Sequence, residues 1–302
     1  MLLSPARMAL PGEALDSVAR YSAVSDAQLE SNAERTGKMT GVSVSATPLG
    51  GELWSTRAHD WAELMEPAMR ELYDAILDRI GPLAGATLLD AGCGAGLFCR
   101  LAAARDATVF GLDAAPALLD MARERVPLGT FDLGDVGNLP YADATFDVVT
   151  GINSLPYVSS PVAALREAKR VAKPDARIII ATWGGADECE SAAYLEAIVS
   201  MLPSTPSTPG PFALSQAGAL ETLATEAGLT PAEVVDVAVE WCFADLDDAL
   251  DALLSSGPAV RAIQMVGERR VRKAVAESIR PFGTARGEYR LENTFRYLIA
   301  RT

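Results

Sequence analysis

Residues 89–96 read Leu-Asp-Ala-Gly-Cys-Gly-Ala-Gly. Closely spaced glycines let a backbone turn sharply and let a ligand approach it closely. Dinucleotide sites also open on such a turn, with the spacing G-x-G-x-x-G. Here Gly92, Gly94 and Gly96 follow G-x-G-x-G, and Asp90 stands two residues ahead of them. A carboxylate at that point would repel a pyrophosphate and suits a cationic ligand, an amino-acid ammonium or a sulfonium. A second acid, Asp113, closes the run Val109-Phe110-Gly111-Leu112 and lies 21 residues after Gly92. An acid ending the second strand is placed to accept hydrogen bonds from both hydroxyls of a ribose. The same residue is also placed to cap a helix starting near Ala115.

The elements that must position these groups follow from the hydrophobic periodicity. Met65, Met69, Leu72, Ile76 and Ile80 form one face of an amphipathic helix over 66–80, with Pro67 in its first turn and Gly81-Pro82 as its stop. Strand and helix signals then alternate: strands at 87–90, 108–112, 129–132, 146–151 and 177–183, and helices at 96–104, 115–125 and 161–171. That rhythm predicts an α/β fold, a Rossmann-like, doubly wound and mostly parallel sheet of seven strands with helices on both faces. Beyond Gly184 the pattern predicts helices at 194–201 and 216–227, a loop at 203–211, and strands at 232–243 and 288–300. A helical stretch over 245–280, interrupted at Gly257-Pro258, falls between the last two strands and predicts a lid insertion over about 244–285. Residues 1–50 lack a sustained period and read as a flexible tail. A short helix over 14–29 and a linker over 36–51 are its only features, which leaves 51–302 as the folded domain.

Composition narrows the function classes. The chain has 302 residues, with 26 Lys plus Arg against 40 Asp plus Glu, a formal charge of −14. Such a balance opposes non-specific affinity for nucleic acid, which needs clustered positive charge. Four cysteines without C-x-x-C spacing and a single histidine, His59, oppose a protein-built metal site, so no metal is expected. No apolar run approaches the ~18–20 residues of a membrane span, and the first eleven residues are broken by Pro5 and Arg7. The expectation is a cytoplasmic protein with reduced thiols and no membrane partner.

A third element carries a family resemblance. Gly134-Asp135-Val136 runs on to Leu139-Pro140-Tyr141, Asp143 and Phe146-Asp147-Val148-Val149. Together with the Asp-x-Gly-x-Gly-x-Gly turn and the acid at Asp113, this resembles class I S-adenosylmethionine-dependent methyltransferases. The similarity is greatest to the small-molecule branch typified by the ubiquinone and menaquinone biosynthesis enzymes. Leu165-Arg166-Glu167-Ala168, Arg170-Val171 and Lys173-Pro174 also match, although Asp175-Ala176 stands where that branch has two glycines. The resemblance covers about 48–302 and is strong over 86–184.

It implies S-adenosylmethionine as cofactor and methylation of a small organic acceptor at O, N or C. Gly92 and Gly94 would pass its methionine part, with Asp90 near the ammonium. Asp113 would hold the ribose with Ala114 beside it, and Asp135 and the Val136 backbone would meet the adenine. Asn153 would lie beside the sulfonium and the acceptor. Trp54, Arg57, Ala58 and Trp61 resemble the segment that closes over the cofactor, with Trp61 in place of the family's tyrosine; the two tryptophans read equally as core residues.

A general base is optional when the methyl group is already activated, and depends on the acceptor. His59 is the candidate base, against a bland reading as a surface histidine. Tyr157 is either an acceptor contact or packing under the lid. The sequence Asn153-Ser154-Leu155-Pro156-Tyr157 lacks the tandem proline of base-modifying methyltransferases. Trp183, Phe212, Trp241 and Tyr289 read as walls of an apolar pocket or as core. The bases of 261–280 read as a dock for an acidic partner or as a solvated face. Two other functions share these motifs: a cofactor-binding enzyme of another reaction such as cyclisation, and a non-catalytic S-adenosylmethionine-binding partner.

Overall fold

The structure is a computed structural model that describes residues 48–202 and 210–302. The expected helix at 14–29, and residues 203–209 of the expected loop, lie outside the described residues.

Seven strands form one sheet in the order β3-β2-β1-β4-β5-β7-β6. They are β1 (Thr87–Ala91), β2 (Thr108–Asp113), β3 (Thr130–Leu133), β4 (Phe146–Ile152), β5 (Ala172–Trp183), β6 (Thr230–Phe243) and β7 (Tyr289–Arg301). Pairs β1–β2, β2–β3, β1–β4 and β4–β5 are parallel, and β7 runs antiparallel to both β5 and β6. The order reverses between β1 and β4. Ligands of open α/β sheets bind at such a switch point, beyond the carboxyl ends of the strands, and the glycine turn after β1 sits there.

Helices cover both faces because the central strands are apolar on both. Leu88, Val109, Val148 and Ile179 pack into one core cluster with the helix α3 (Arg70–Ile80) and the helix α4 (Leu97–Ala103). Leu89, Leu112, Val149 and Ile178 face the other cluster with the helix α6 (Pro161–Val171) and the helix α8 (Ala219–Glu226). The helix α5 (Pro116–Arg125) follows β2, and α7 (Ala192–Val199) follows β5.

Three expectations need correction. The segment to Gly51 is not all linker: helix α1 spans Pro48–Ser55, so the expected boundary at 50/51 falls inside a helix. The helix over 66–80 is not uniform. It follows a short helix α2 (Ala58–Asp60) through a π turn (Trp61–Met65) and a 3₁₀ turn (Glu66–Met69) before α3 begins. The stretch 245–280 breaks twice rather than once. Its parts are α9 (Leu246–Leu253), α10 (Gly257–Val266) and α11 (Glu268–Ile279). The second break is Gly267, whose φ of +86° is left-handed territory open to glycine.

These three helices lie between β6 and β7, as expected of the insertion. Asp245 caps α9 by accepting the amides of Asp247 (2.9 Å) and Asp248 (3.0 Å). Leu250, Leu253 and Leu254 are buried, while Arg272 of α11 ties back to Asp251 (2.6 Å) and Asp247 (2.8 Å). No helix among the described residues is long and apolar enough to cross a membrane.

Candidate active site

Asp90 lies in β1 directly opposite Thr150 of β4, so the Thr150 hydroxyl reaches it and donates to Oδ1 at 2.7 Å. The carboxylate is 2% exposed, and burial pushes it from its ordinary value up to about 7 against the pull of that hydrogen bond. Cys99 places its thiol 3.9 Å from Oδ2. The glycine turn then swings away from β1 with left-handed φ at Gly92 (+91°), Gly94 (+54°) and Gly96 (+80°). At Gly92 the glycine is required for space as well: a Cβ would stand 2.4 Å from that of Ser154.

Asp113 ends β2 with both oxygens engaged. Oδ2 accepts the Gly94 amide and Oδ1 the Ala115 amide, each at 2.9 Å. It is therefore a brace for the glycine turn and for the start of α5 together, the capping reading being realised in part. Each carboxylate oxygen retains a further lone pair for a ribose hydroxyl. Burial raises its pKa. Asp135 and Val136 follow β3. Asp135 is exposed and accepts the Gly137 amide at 2.8 Å, and Val136 is half-buried against Leu112's core cluster.

Asn153 follows β4 and is one of four non-glycine residues with positive φ (+53°) among the described residues. Its amide donates to the Ala181 carbonyl at 2.8 Å, and its side-chain Oδ1 is buried with no hydrogen-bond partner. A buried acceptor left unsatisfied is costly, and a left-handed non-glycine residue persists where the surroundings hold it. Both features are those of a ligand-facing position.

An aromatic cluster covers the turn. Trp54 of α1 meets Trp61 edge-on at 4.9 Å and Tyr157 at 5.4 Å between ring centroids. Trp61 also reaches the glycine turn, its Nε1 lying 3.5 Å from where a Cβ on Gly94 would stand. The structure thus brings Trp54, Trp61, Gly92, Gly94, Asp113, Ala114, Asn153 and Tyr157 to one region at the ends of β1, β2 and β4. Arg57 points elsewhere, into an ion pair with Glu268 of α11.

His59 is the clear departure. Its side chain is 83% exposed beside Asp60, in an open groove of about 630 Å³ with Arg57, Met121 and Asp251. The structure does not bring it to Asn153, because α2 turns its outer face to solvent. Of the two readings of the aromatic set, core is the one met by Trp183 (3%), Phe212 (5%) and Trp241 (1%), packed with Trp183 5.6 Å from Phe212 and 5.4 Å from Trp241. The bases of 261–280 divide: Arg272 and Lys273 are paired within the lid, and Arg261, Arg269, Arg270 and Arg280 are exposed.

One residue escapes a sequence reading. Glu66 is 2% exposed, pairs with Arg125 at the end of α5, and places Oε1 3.4 Å from the Leu97 amide at the start of α4. The only local signal is a glutamate on the buried face of an otherwise apolar helix. No group of His, Cys, Asp and Glu able to hold a metal occurs among the described residues.

A 3-2-1-4-5-7-6 sheet, with a glycine turn at its switch point and acids closing its first two strands, defines the class I S-adenosylmethionine-dependent methyltransferase fold. The family model described as "Methyltransferase domain" matches residues 89–180. Over 98 residues the chain is 40% identical to a malonyl-[acyl-carrier protein] O-methyltransferase of Serratia marcescens, covering 32% of this chain and 38% of the relative. It is 31% identical over 141 residues to the 27-O-demethylrifamycin SV methyltransferase of Amycolatopsis mediterranei, covering 43% and 52%. These matches span about two-fifths to one-half of the relatives' lengths. In fold it is similar to a Bacillus halodurans protein proposed as a methyltransferase, with a TM-score of 0.53, 17% identity, and coverage of 75% of this chain and 97% of that one.

The residues present fit S-adenosylmethionine. The turn has no room for side chains at Gly92, the Asn153 acceptor is orphaned, and of the acids Glu66, Asp90 and Asp113 only Glu66 meets a guanidinium, that of Arg125, among the described residues. A cationic, hydroxyl-bearing ligand answers each of these.

Proposed function

We propose that the protein transfers the methyl group of S-adenosylmethionine to an oxygen of a small organic acceptor. The observation that carries this reading is Asn153, held in a left-handed conformation at the end of β4 with a buried, unpartnered Oδ1. The cofactor supplies a methyl group already activated by its sulfonium. The chain's own task is alignment and exclusion of water. Gly92 and Gly94 admit the methionine part, Asp113 and Ala114 hold the ribose, and Asp135 with the Val136 amide meet the adenine. Asp90 adds negative charge beneath the turn. Asn153 borders the reacting centre, and Trp54, Trp61 and Tyr157 close over it.

Oxygen as the accepting atom is supported by the relatives' names, both of which denote oxygen methylation. The exposed position of His59, the chain's single histidine, favours an acceptor oxygen that ionises without a histidine base, such as a carboxylate or an acidic phenol. The formal charge of −14 supports a small molecule over a nucleic acid.

The test is incubation of the full chain with S-adenosylmethionine and a panel of carboxylic and phenolic acceptors. S-adenosylhomocysteine should form in equal amount with methylated product. Product without S-adenosylhomocysteine would replace methyl transfer by another reaction on the same fold.

A further inference from the structure

The acids beneath the glycine turn are short of positive charge. Glu66 and Asp90 are each 2% exposed, and Asp113 is braced beside them. Among the described residues Arg125 is the one guanidinium that pairs with any of them, and it binds Glu66 while also donating to the Ala62 and Ala95 carbonyls. Burial of a carboxylate costs several kcal/mol per ion unless an opposite charge meets it. Even with Arg125 in contact, burial raises Glu66 to about 7.

The three acids are not equally available. Asp90 spends Oδ1 on Thr150 and faces the Cys99 thiol with Oδ2 (2.7 and 3.9 Å). Asp113 accepts two backbone amides. Glu66 gives Oε2 to Arg125, while Oε1 has the long 3.4 Å contact with the Leu97 amide, and the Ala95 backbone also approaches the carboxylate. That oxygen lies 3.3 Å from where a Cβ on Gly94 would stand. It therefore borders the stretch of backbone that an amino-acid ligand passes.

We propose that Glu66 is the carboxylate that receives the α-ammonium of the cofactor's amino-acid end, with Arg125 holding its second oxygen in place. The proposal rests on the S-adenosylmethionine reading above and moves the ammonium contact from Asp90 to Glu66. Asp90 then acts as a buried support of the turn.

The test uses the full chain and three probes by calorimetry. They are S-adenosylhomocysteine, its analogue lacking only the α-amino group, and 5′-methylthioadenosine, which lacks the whole amino-acid end. Wild type should prefer S-adenosylhomocysteine to the deaminated analogue by at least tenfold. Glu66→Gln should abolish that preference by weakening S-adenosylhomocysteine alone, with the other two unchanged within twofold. Equal weakening of all three, or of none, would overturn the proposal and leave Glu66 a purely structural partner of Arg125 and Leu97. Should Glu66→Gln fail to fold, Glu66→Asp keeps the charge but withdraws it by one methylene. It should lower the preference severalfold without affecting 5′-methylthioadenosine, and an unchanged preference would again overturn the assignment. Failure of wild type to bind any of the probes would remove the cofactor reading itself, and the proposal with it.

Discussion

Gly51 of α1 packs directly onto the backbone of Ala114: a Cβ at Gly51 would stand 1.8 Å from the Ala114 carbonyl oxygen. Ala114 follows the acid that ends β2, so the helix covering the site is seated on the backbone beside Asp113 with no side chain between. One turn further along α1, Trp54 meets the lid, where a Cβ on Gly257 would stand 2.7 Å from the Trp54 indole nitrogen. Helix α1 is thus wedged between the lid and the end of β2.

Gly51→Ala should displace α1 from Ala114, because backbone cannot yield as a flexible side chain would. We expect at least a tenfold loss of S-adenosylhomocysteine affinity by calorimetry. Gly50→Ala is the control, since a Cβ there meets nothing within 4 Å. It should leave affinity unchanged and stabilise the helix by up to about 1 kcal/mol. Equal behaviour of the two variants would refute the wedge.

Asp113→Asn retains acceptor capacity toward the Gly94 or Ala115 amide but loses the charge and one acceptor oxygen. Asp113→Ala leaves both amides unpaired, at a cost of roughly 1–3 kcal/mol for each buried group. Both variants should lose cofactor binding, with Asp113→Asn retaining the higher melting temperature. Unaltered affinity in Asp113→Asn would remove the ribose assignment.

Asn153→Gly separates function from folding. Glycine adopts the +53° φ freely, so stability should stay within about 1 kcal/mol of wild type. Loss of the side-chain amide should lower kcat for methyl transfer at least tenfold with a smaller change in cofactor affinity. A variant with full turnover would show that Asn153 serves only to turn the chain after β4.

Stability and binding should respond to pH in opposite senses. Burial raises Asp90 and Glu66 to about 7 in the folded chain, above the values they take unfolded. An acid so shifted favours folding fully at low pH, and its contribution is lost as pH rises through the folded value. The melting temperature of the ligand-free protein should therefore decline between about pH 4 and pH 7 on account of these two groups. Affinity for S-adenosylmethionine should increase over the same window, because a cation favours the ionised acids. Asp90→Asn should flatten part of both slopes, and a wild-type affinity that is flat or falls with pH would contradict the charge argument.

Much of this molecule is legible along the chain. The strands β1 to β5 and the helices between them follow from local periodicity. Asp90, Asp113 and Asn153 fall at strand ends, where a parallel sheet gathers them irrespective of the rest of the chain. Boundaries slipped where a local signal was ambiguous: the glycines at 50 and 51 suggest a linker, yet Gly51 is small because a helix must meet Ala114 there.

What periodicity does not carry is the phase of a helix after an irregular turn. The π turn at Trp61–Met65 follows i→i+5 bonding, and the 3₁₀ turn after it tightens the chain again. Together they aim Trp61 at Gly94 and bury Glu66, while His59, just upstream, stays 83% exposed. A reading by residue type favours the histidine, and only packing across 31 residues of sequence to Leu97, and 59 to Arg125, favours the glutamate. The sequence by itself determined the parallel sheet, its switch point and the acids at the strand ends, because each depends on patterns a few residues long. The tertiary structure decided which carboxylate faces the glycine turn, which aromatics cover it and which are core, because those outcomes depend on contacts between segments that the chain keeps far apart.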